Sequence, residues 1–218
     1  MSNPALEIRV LPAQPEDALA LATVEWDAYS RDPVSRVMFG KWTPDGAEHR
    51  AKEIAEGMAK KDPQSHYIKA VLGKDDMIIG LGIWHFYLDE ESSKKIMVVD
   101  LEQKEWSTGA NVDACKEFFG NVYRMREKMR GQRHAFLSSL ATSIAHQGLG
   151  AGSAMLKYGV EIADKENLPG WLESSLKGYT LYKKFGFQAF ESFTFDLSKY
   201  GGEGERPIVG MLRPARQN

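Results

Sequence analysis

One cysteine, Cys115, serves a chain of 218 residues. A single thiol excludes an internal disulfide framework and any metal cage built on paired cysteines. His66, His134 and His146 are scattered, no H-x-x-x-H spacing occurs, and no metal site is expected. An excess of one charge is missing as well. With 28 basic and 30 acidic side chains the net charge is −2, so no global basic field draws the chain to nucleic acid or to an anionic membrane. The basic cluster "RMREKMRGQR" is interrupted by Glu127 and reads as a helix surface. No apolar run approaches the roughly 18 residues of a membrane span, and the opening "MSNPALEIRV" has no signal-like apolar core. Internal repeats and low-complexity linkers are absent too. What remains is a globular protein of ordinary composition, 43% hydrophobic and 27% charged. One domain over 1–218 is expected, in the cytoplasm, as a monomer or homodimer.

Within that frame the elements follow from periodicity. "LEIRVL" alternates as a strand, and "PAQPEDALALATVEWDAYSRDP" reads as a helix with Ala18, Leu21, Ala22, Ala28 and Tyr29 on its apolar side. "HYIKAVL" and "MIIGLGIWHFYL" flank "GKDD" and predict an antiparallel hairpin, with Gly80 and Gly82 marking a bulge or crowding. From Asp89 to Arg133 the chain is irregular and charged, an insertion too long for an ordinary loop, for which a substrate lid is the functional reading. Inside it Cys115, Phe118, Val122, Met125 and Met129 recur at helical steps and predict an amphipathic helix over 112–130, Cys115 on its core side. "HAFLSSLATS" fits a buried strand, and a helix starts near Gly150 with Ala151, Met155, Tyr158 and Ile162 in one stripe. "GWLESS" is a short strand, and "GYTLYKKFGF" gives two helical turns ended by Gly186. "FQAFESFTFDL" is a strand with Ala189, Glu191, Phe193, Phe195 and Leu197 on one side, and "PIVGMLRP" closes the chain. The sum is a mixed α/β (α+β) domain, a β-rich sheet flanked by helices.

"HQGLGAGSAML", His146 to Leu156, sits between the buried strand and its helix. A glycine-rich turn entering a helix presents N–H groups without intrahelical partners at the positive end of the helix dipole, which makes an anion site. The dinucleotide fingerprint G-x-G-x-x-G is not met, because Ser153 stands at its third glycine and "SIAHQ" separates strand from loop. The phosphate loop G-x-x-x-x-G-K-[ST] is absent.

The residues carry a resemblance. "QGLGAG" fits the Q/R-x-x-G-x-G/A signature of the GNAT superfamily of N-acetyltransferases, "FLSSLATS" before it resembles that family's pantetheine-binding strand, and "GYTLYKKFGF" resembles its closing "LYxKxGF" segment. The likeness is close from about His134 onward and looser before it; "DPV" and "LESS" resemble a subgroup of fungal and bacterial small-molecule acetyltransferases. The resemblance implies a mixed, mostly antiparallel central sheet with a V-shaped split, flanked by helices, and acetyl-CoA as acyl donor wedged in the split. It places the CoA pyrophosphate on Gln147, Gly148, Leu149, Gly150, Ala151, Gly152 and Ser153, and the pantetheine along the backbone of Leu140, Ala141 and Thr142 like an added strand. One of those amides would polarise the thioester carbonyl.

For chemistry, the resemblance implies direct attack by an amine in a ternary complex, so Cys115 is not needed. Tyr182 matches the tyrosine that gives a proton to the departing thiolate. Glu173 in "WLESS" is the leading base, because burial beside Trp171 and Leu172 would raise its pKa; a salt bridge is its plain structural alternative, and Asp100 and Glu102 are weaker choices. Trp84 and Tyr29, with His85, Phe86 and Trp26 nearby, are acceptor-pocket candidates, core packing being the plainer account of such aromatics. Lys183 and Lys184 read as a solvated helix face. The expected activity is acetylation of a primary amine on a small molecule. The alternatives are a protein lysine or N-terminal acetyltransferase and a non-catalytic acyl-CoA-binding protein, the last disfavoured by the retained Tyr182.

Overall fold

The computed structural model describes residues 7–41 and 43–216; Leu6, which opens the first predicted strand, lies outside them. Seven strands form one sheet: β1 (Ile8–Pro12), β2 (Ser65–Leu72), β3 (Met77–Tyr87), β4 (His134–Thr142), β5 (Gly170–Ser175), β6 (Gln188–Asp196) and β7 (Glu205–Arg213). Their order is β1-β2-β3-β4-β5-β7-β6, with β4 and β5 parallel and every other neighbouring pair antiparallel. The parallel pair is the place where the chain must cross over, and α6 (Ala151–Lys165) is that crossover.

Helices cover both faces. α6 lies on one, its Met155 and Leu156 packed with Ile68, Ala70, Ile79, Trp84, Phe86 and Leu137. The approach is close because residue 159 is glycine: a Cβ there would lie 2.0 Å from Trp84 Cε2. The other face receives α1 (Ala18–Tyr29) and α3 (Pro44–Ala59), through Leu21, Ala22 and Ile54 against Leu81 and Ile83. Farther along that face α5 (Val112–Arg126) sets Met125 against Phe136, Trp171 and Ile208. Period-two alternation in β3 sends Trp84 and Phe86 to one face and Ile83 and His85 to the other.

Local chemistry explains the boundaries. Asp32, extended before Pro33, ends the α1 segment and caps α2 (Pro33–Phe39) by accepting from Ser35 N at 2.9 Å. Thr43 and Asn111 cap α3 and α5 in the same way. α2 and α3 are not announced by periodicity; the buried positions of α3 are Gly46, Ala47 and Ile54, too small a set to stand out as a stripe. The helix expected over 112–130 stops at Arg126, and Glu127–Met129 tightens into a 3₁₀ turn that still buries Met129. The hairpin forms as expected, with a bulge at Ala70/Val71, and a Cβ on Gly80 or Gly82 would collide with Met155 or Ile68. The alternation expected along β6 holds only toward its end: the register shifts between Ala189 and Glu191, leaving Phe190 55% exposed on an edge strand while Phe195 is buried. The insertion holds a short helix, α4 (Glu90–Lys94), a strap over 95–111, and α5. Among the described residues no helix is long and apolar enough to cross a membrane.

Candidate active site

β4 and β5 share three rungs, Ala135 with Gly170, Phe136 with Trp171 and Leu137 with Leu172. Beyond them β4 continues to Thr142 paired only with β3, and β5 to Ser175 paired only with β7. The sheet opens as a V whose apex is the rung Leu137–Leu172. At the apex β4 bulges, Ile83 facing Ser139 while Trp84 faces Leu137, so Ser138 is an inserted residue. Both serines then serve the same face: Ser139 Oγ donates to Glu25 Oε1 at 2.5 Å, and Ser138 Oγ lies 3.2 Å from His85 Nε2. On the open arm the carbonyl of Leu140 accepts from Tyr29 Oη at 3.3 Å and that of Thr142 from Gln147 Nε2 at 3.0 Å. Alternate backbone groups of β4 therefore point into the gap, a free edge for an extended ligand.

The other end of that edge is the glycine loop. After Thr142 a 3₁₀ turn, Ile144–His146, is pinned by Ile144 N donating to Asp27 Oδ2 of α1 at 2.7 Å. Gly148 has φ +83° and Gly150, the N-cap of α6, has φ +102°; nothing lies within 4 Å of a Cβ placed on either. These two glycines answer a backbone demand, since L residues rarely adopt such angles. Gly152 is under neither a backbone nor a packing constraint: a Cβ there would sit at van der Waals distance, 3.5 Å, from Leu181 Cδ2 on α7 (Leu176–Lys184). No side chain caps α6, so its first N–H groups face the open loop, flanked by Leu149 at 48% exposure.

Two tyrosines approach from opposite arms. Tyr182, on α7, packs on the core and meets Phe187 edge to face at 6.2 Å; among the described residues its hydroxyl makes no hydrogen bond. Burial pushes its phenol up to about 12. Tyr29 at the end of α1 is 39% exposed, and its hydroxyl donates to the Leu140 carbonyl. Burial first, then the Glu25 carboxylate and Tyr182, raise the Tyr29 phenol above its ordinary value.

A family model described as "Acetyltransferase (GNAT) family" matches residues 35–187, well over half of the chain. The chain belongs to the GNAT acetyltransferase family. Solved structures with a similar fold include histone acetyltransferase HPA2 and related acetyltransferase from Corynebacterium glutamicum, 20% identical with TM-score 0.58 over 97% of this chain and 98% of that one. An N-acetyltransferase from Staphylococcus aureus is 12% identical, TM-score 0.57, over 96% and 99%. The ribosomal-protein-S18-alanine N-acetyltransferase from Escherichia coli is 14% identical, TM-score 0.53, over 97% and 96%. No curated protein matches the sequence. The mixed, mostly antiparallel sheet flanked by helices is thus the GNAT fold, and acetyl-CoA is the donor this family uses.

Within the GNAT site two of the expected side chains take other work. Trp84 has no exposed surface: its ring lies under α6 and its Nε1 donates to Met155 O at 3.3 Å. It is core beneath α6, a correction to its expected place as a pocket wall. Glu173 is held by Arg126 through Nε to Oε1 at 3.2 Å and Nη2 to Oε2 at 2.9 Å, and Trp171 Nε1 donates to Oε1 at 2.6 Å. Both oxygens are engaged, so the salt bridge describes this carboxylate and a free base does not. Asp100 and Glu102 stand on the exposed strap, Asp100 accepting the Glu102 amide and Glu102 pairing with Lys116. Cys115 is buried, its thiol pushed up to about 12, and it donates to Met38 O. Lys183 and Lys184 are exposed as expected.

The residues that sequence reasoning passed over are Glu25, Arg50, Arg126, Ser138 and Ser139. Arg50 of α3 clasps Glu25 of α1 at 2.5 and 3.1 Å and reaches Glu53, which holds Lys104 of the strap at 2.6 Å. The signal for the bulge was present, two serines breaking the apolar run "AFLSSLAT"; no local signal marks the pairs Glu25–Arg50, Glu53–Lys104 and Arg126–Glu173, whose partners are far apart in sequence.

Proposed function

We propose that the chain acetylates a primary amine of a small molecule, taking the acetyl group from acetyl-CoA by direct attack in a ternary complex. The observation that carries this reading is the continuous path from the uncapped start of α6, along the free edge of β4, to the bulge at Ser138 and Ser139. In it the backbone N–H groups of 147–153 would hold the pyrophosphate, the backbone of Leu140, Ala141 and Thr142 the pantetheine, in exchange for the side-chain bonds from Tyr29 and Gln147, and an amide at the bulge the thioester oxygen. From Thr142 to Ser138 the strand advances ~13 Å, enough to separate phosphate binding from chemistry.

Tyr182 suits the acid role. A phenol near 12 stays protonated at neutral pH and can give its proton to a leaving thiolate. Tyr29, at the end of the helix opposite, would border the acceptor. The strap over 95–111 supports a covered site and hence a small acceptor: Arg126 Nη1 donates to Met97 O, and Lys104 fastens the strap to Glu53 of α3.

The test is thiol release from acetyl-CoA across a panel of amines, amino acids, polyamines and peptides. Small amines should be turned over and peptides should not; turnover of peptides alone would assign the chain to protein acetylation. Gly150→Glu should abolish CoA binding, because the carboxylate would occupy the anion site at a backbone angle that strains any side chain. Absence of acetyl-CoA binding by calorimetry would refute the reading.

A further inference from the structure

The reaction needs a proton taken from the attacking amine, and the engaged Glu173 leaves that step without an owner. On the acceptor face a row of hydrogen bonds crosses three strands and ends at the apex of the V. Ser138 Oγ lies 3.2 Å from His85 Nε2; His85 Nδ1 lies 2.9 Å from Ser65 Oγ; Ser65 Oγ donates to Asp62 Oδ2 at 2.8 Å. Asp62 is exposed, Ser138 half-buried and His85 6% exposed. We infer that His85, acting through Ser138, is the proton acceptor of the transfer reaction and that Ser65 and Asp62 return the proton to solvent, an assignment that rests on the acetyl-transfer reading.

The direction of the row fixes the tautomer. Asp62 can only accept, so Ser65 donates to it and must accept from His85, whose Nδ1 then carries the hydrogen. Nε2 is left bare and aimed at the Ser138 hydroxyl. Ser138 Oγ has a second acceptor, Ile83 O at 3.2 Å, to which its hydroxyl turns once Nε2 is protonated. The neutral and the protonated ring are therefore both fully hydrogen-bonded, which is what a relay requires and a merely structural histidine does not.

Ser138 stands at the bulge, the first β4 residue past the last rung shared with β5, where the free edge ends. The ammonium gives one proton to Ser138 Oγ while the serine's own proton passes to Nε2, and the freed lone pair forms the C–N bond as the C–S bond breaks. Serine is regenerated and the ring becomes imidazolium. Its Nδ1 proton leaves through Ser65 to Asp62 and water; once the products have gone, Nδ1 takes a proton back by the same path while Nε2 gives its own through Ser138 to water in the emptied site, which resets the row. From a protonated amine the products are amide, CoA thiol (its proton from Tyr182, which is recharged by the second ammonium proton) and one proton in water.

The surroundings keep the ring ready. Burial, then Arg126 on α5, hold His85 down to about 4, with Asp62 acting in the opposite direction and His66 on β2 and His134 on β4 adding to the lowering. Tyr87 and Phe136 flank it as stacked rings. It is thus an unprotonated acceptor throughout the neutral range.

His85→Gln and Ser138→Ala should each lower kcat by about 10²-fold near neutral pH, with acceptor KM and CoA affinity changed less than about twofold, and the double variant should be no slower than either. The loss should shrink at alkaline pH, where the amine arrives unprotonated and hydroxide serves. Asp62→Asn should cost less, because water can still drain the ring. Ser138→Ala removes one oxygen and keeps the test intact where His85→Gln unfolds the chain. With acetyl-CoA and the best amine of the panel, kcat unchanged in Ser138→Ala, or a loss in both variants that is independent of pH, overturns the assignment. No turnover by the unaltered chain overturns acetyl transfer itself and this inference with it.

Discussion

Replacing Glu173 by glutamine separates two roles that one carboxylate can hold. Its side chain is 8% exposed and that of its partner Arg126 is 9%, so the pair sits where water cannot take over either charge. Arg126 also stacks 4.3 Å from the Phe136 ring and 5.2 Å from that of Tyr123, and its Nη1 holds the strap at Met97. Removing one member of a buried pair leaves the other uncompensated, which costs ~3–5 kcal/mol. Glu173→Gln should therefore lose about that much unfolding free energy in urea, followed by tryptophan fluorescence, because Trp171 bonds the same carboxylate. At a temperature where the variant is still folded, kcat should stay within a few-fold of the parent. Arg126→Met combined with Glu173→Gln should lose less than the sum of the two single changes, since no orphan charge remains. A variant as stable as the parent, with kcat reduced a hundredfold or more, would refute this reasoning and return Glu173 to the chemistry.

Tyr182→Phe should lower kcat by an order of magnitude or more while leaving acetyl-CoA affinity unchanged, measured by thiol release and calorimetry; unaltered turnover would remove the tyrosine from the mechanism. Gly159→Ala should destabilise the fold by ~1–3 kcal/mol, because the new methyl would lie 2.0 Å from Trp84 Cε2 and α6 must lift from the sheet; thermal unfolding checks it. Acid should weaken the fold through His85 and His134, both held down from 6.5 to about 4 by burial. The unfolded chain binds more protons between those values, so stability is complete above the upper one and falls through the window as pH drops, by about 3 kcal/mol at most for each histidine. Urea unfolding at several pH values across that window reads the slope; a flat profile would contradict it.

The glycine-rich turn was legible because it is local. Gly148 and Gly150 are two residues apart, and the left-handed angles that require them are set within the turn itself. Tyr182 is readable for the same reason, lying in one short helix ended by Gly186. The polar contacts beside the V were not. Glu173 and Arg126 are 47 residues apart and Ser139 and Glu25 are 114 apart, so no window along the chain contains both members of either contact.

Sequence by itself determined the strands from the hairpin onward and the glycine-rich turn and helix between β4 and β5, since each depends on periodicity or on backbone angles within a few residues. Tertiary structure alone decided which face of β3 is covered by α6. Trp84 and His85 are adjacent and equally plausible as side chains at a site; strand alternation sends them to opposite faces, and only the seating of α6 on Gly159 makes the tryptophan core and leaves the histidine beside the open V.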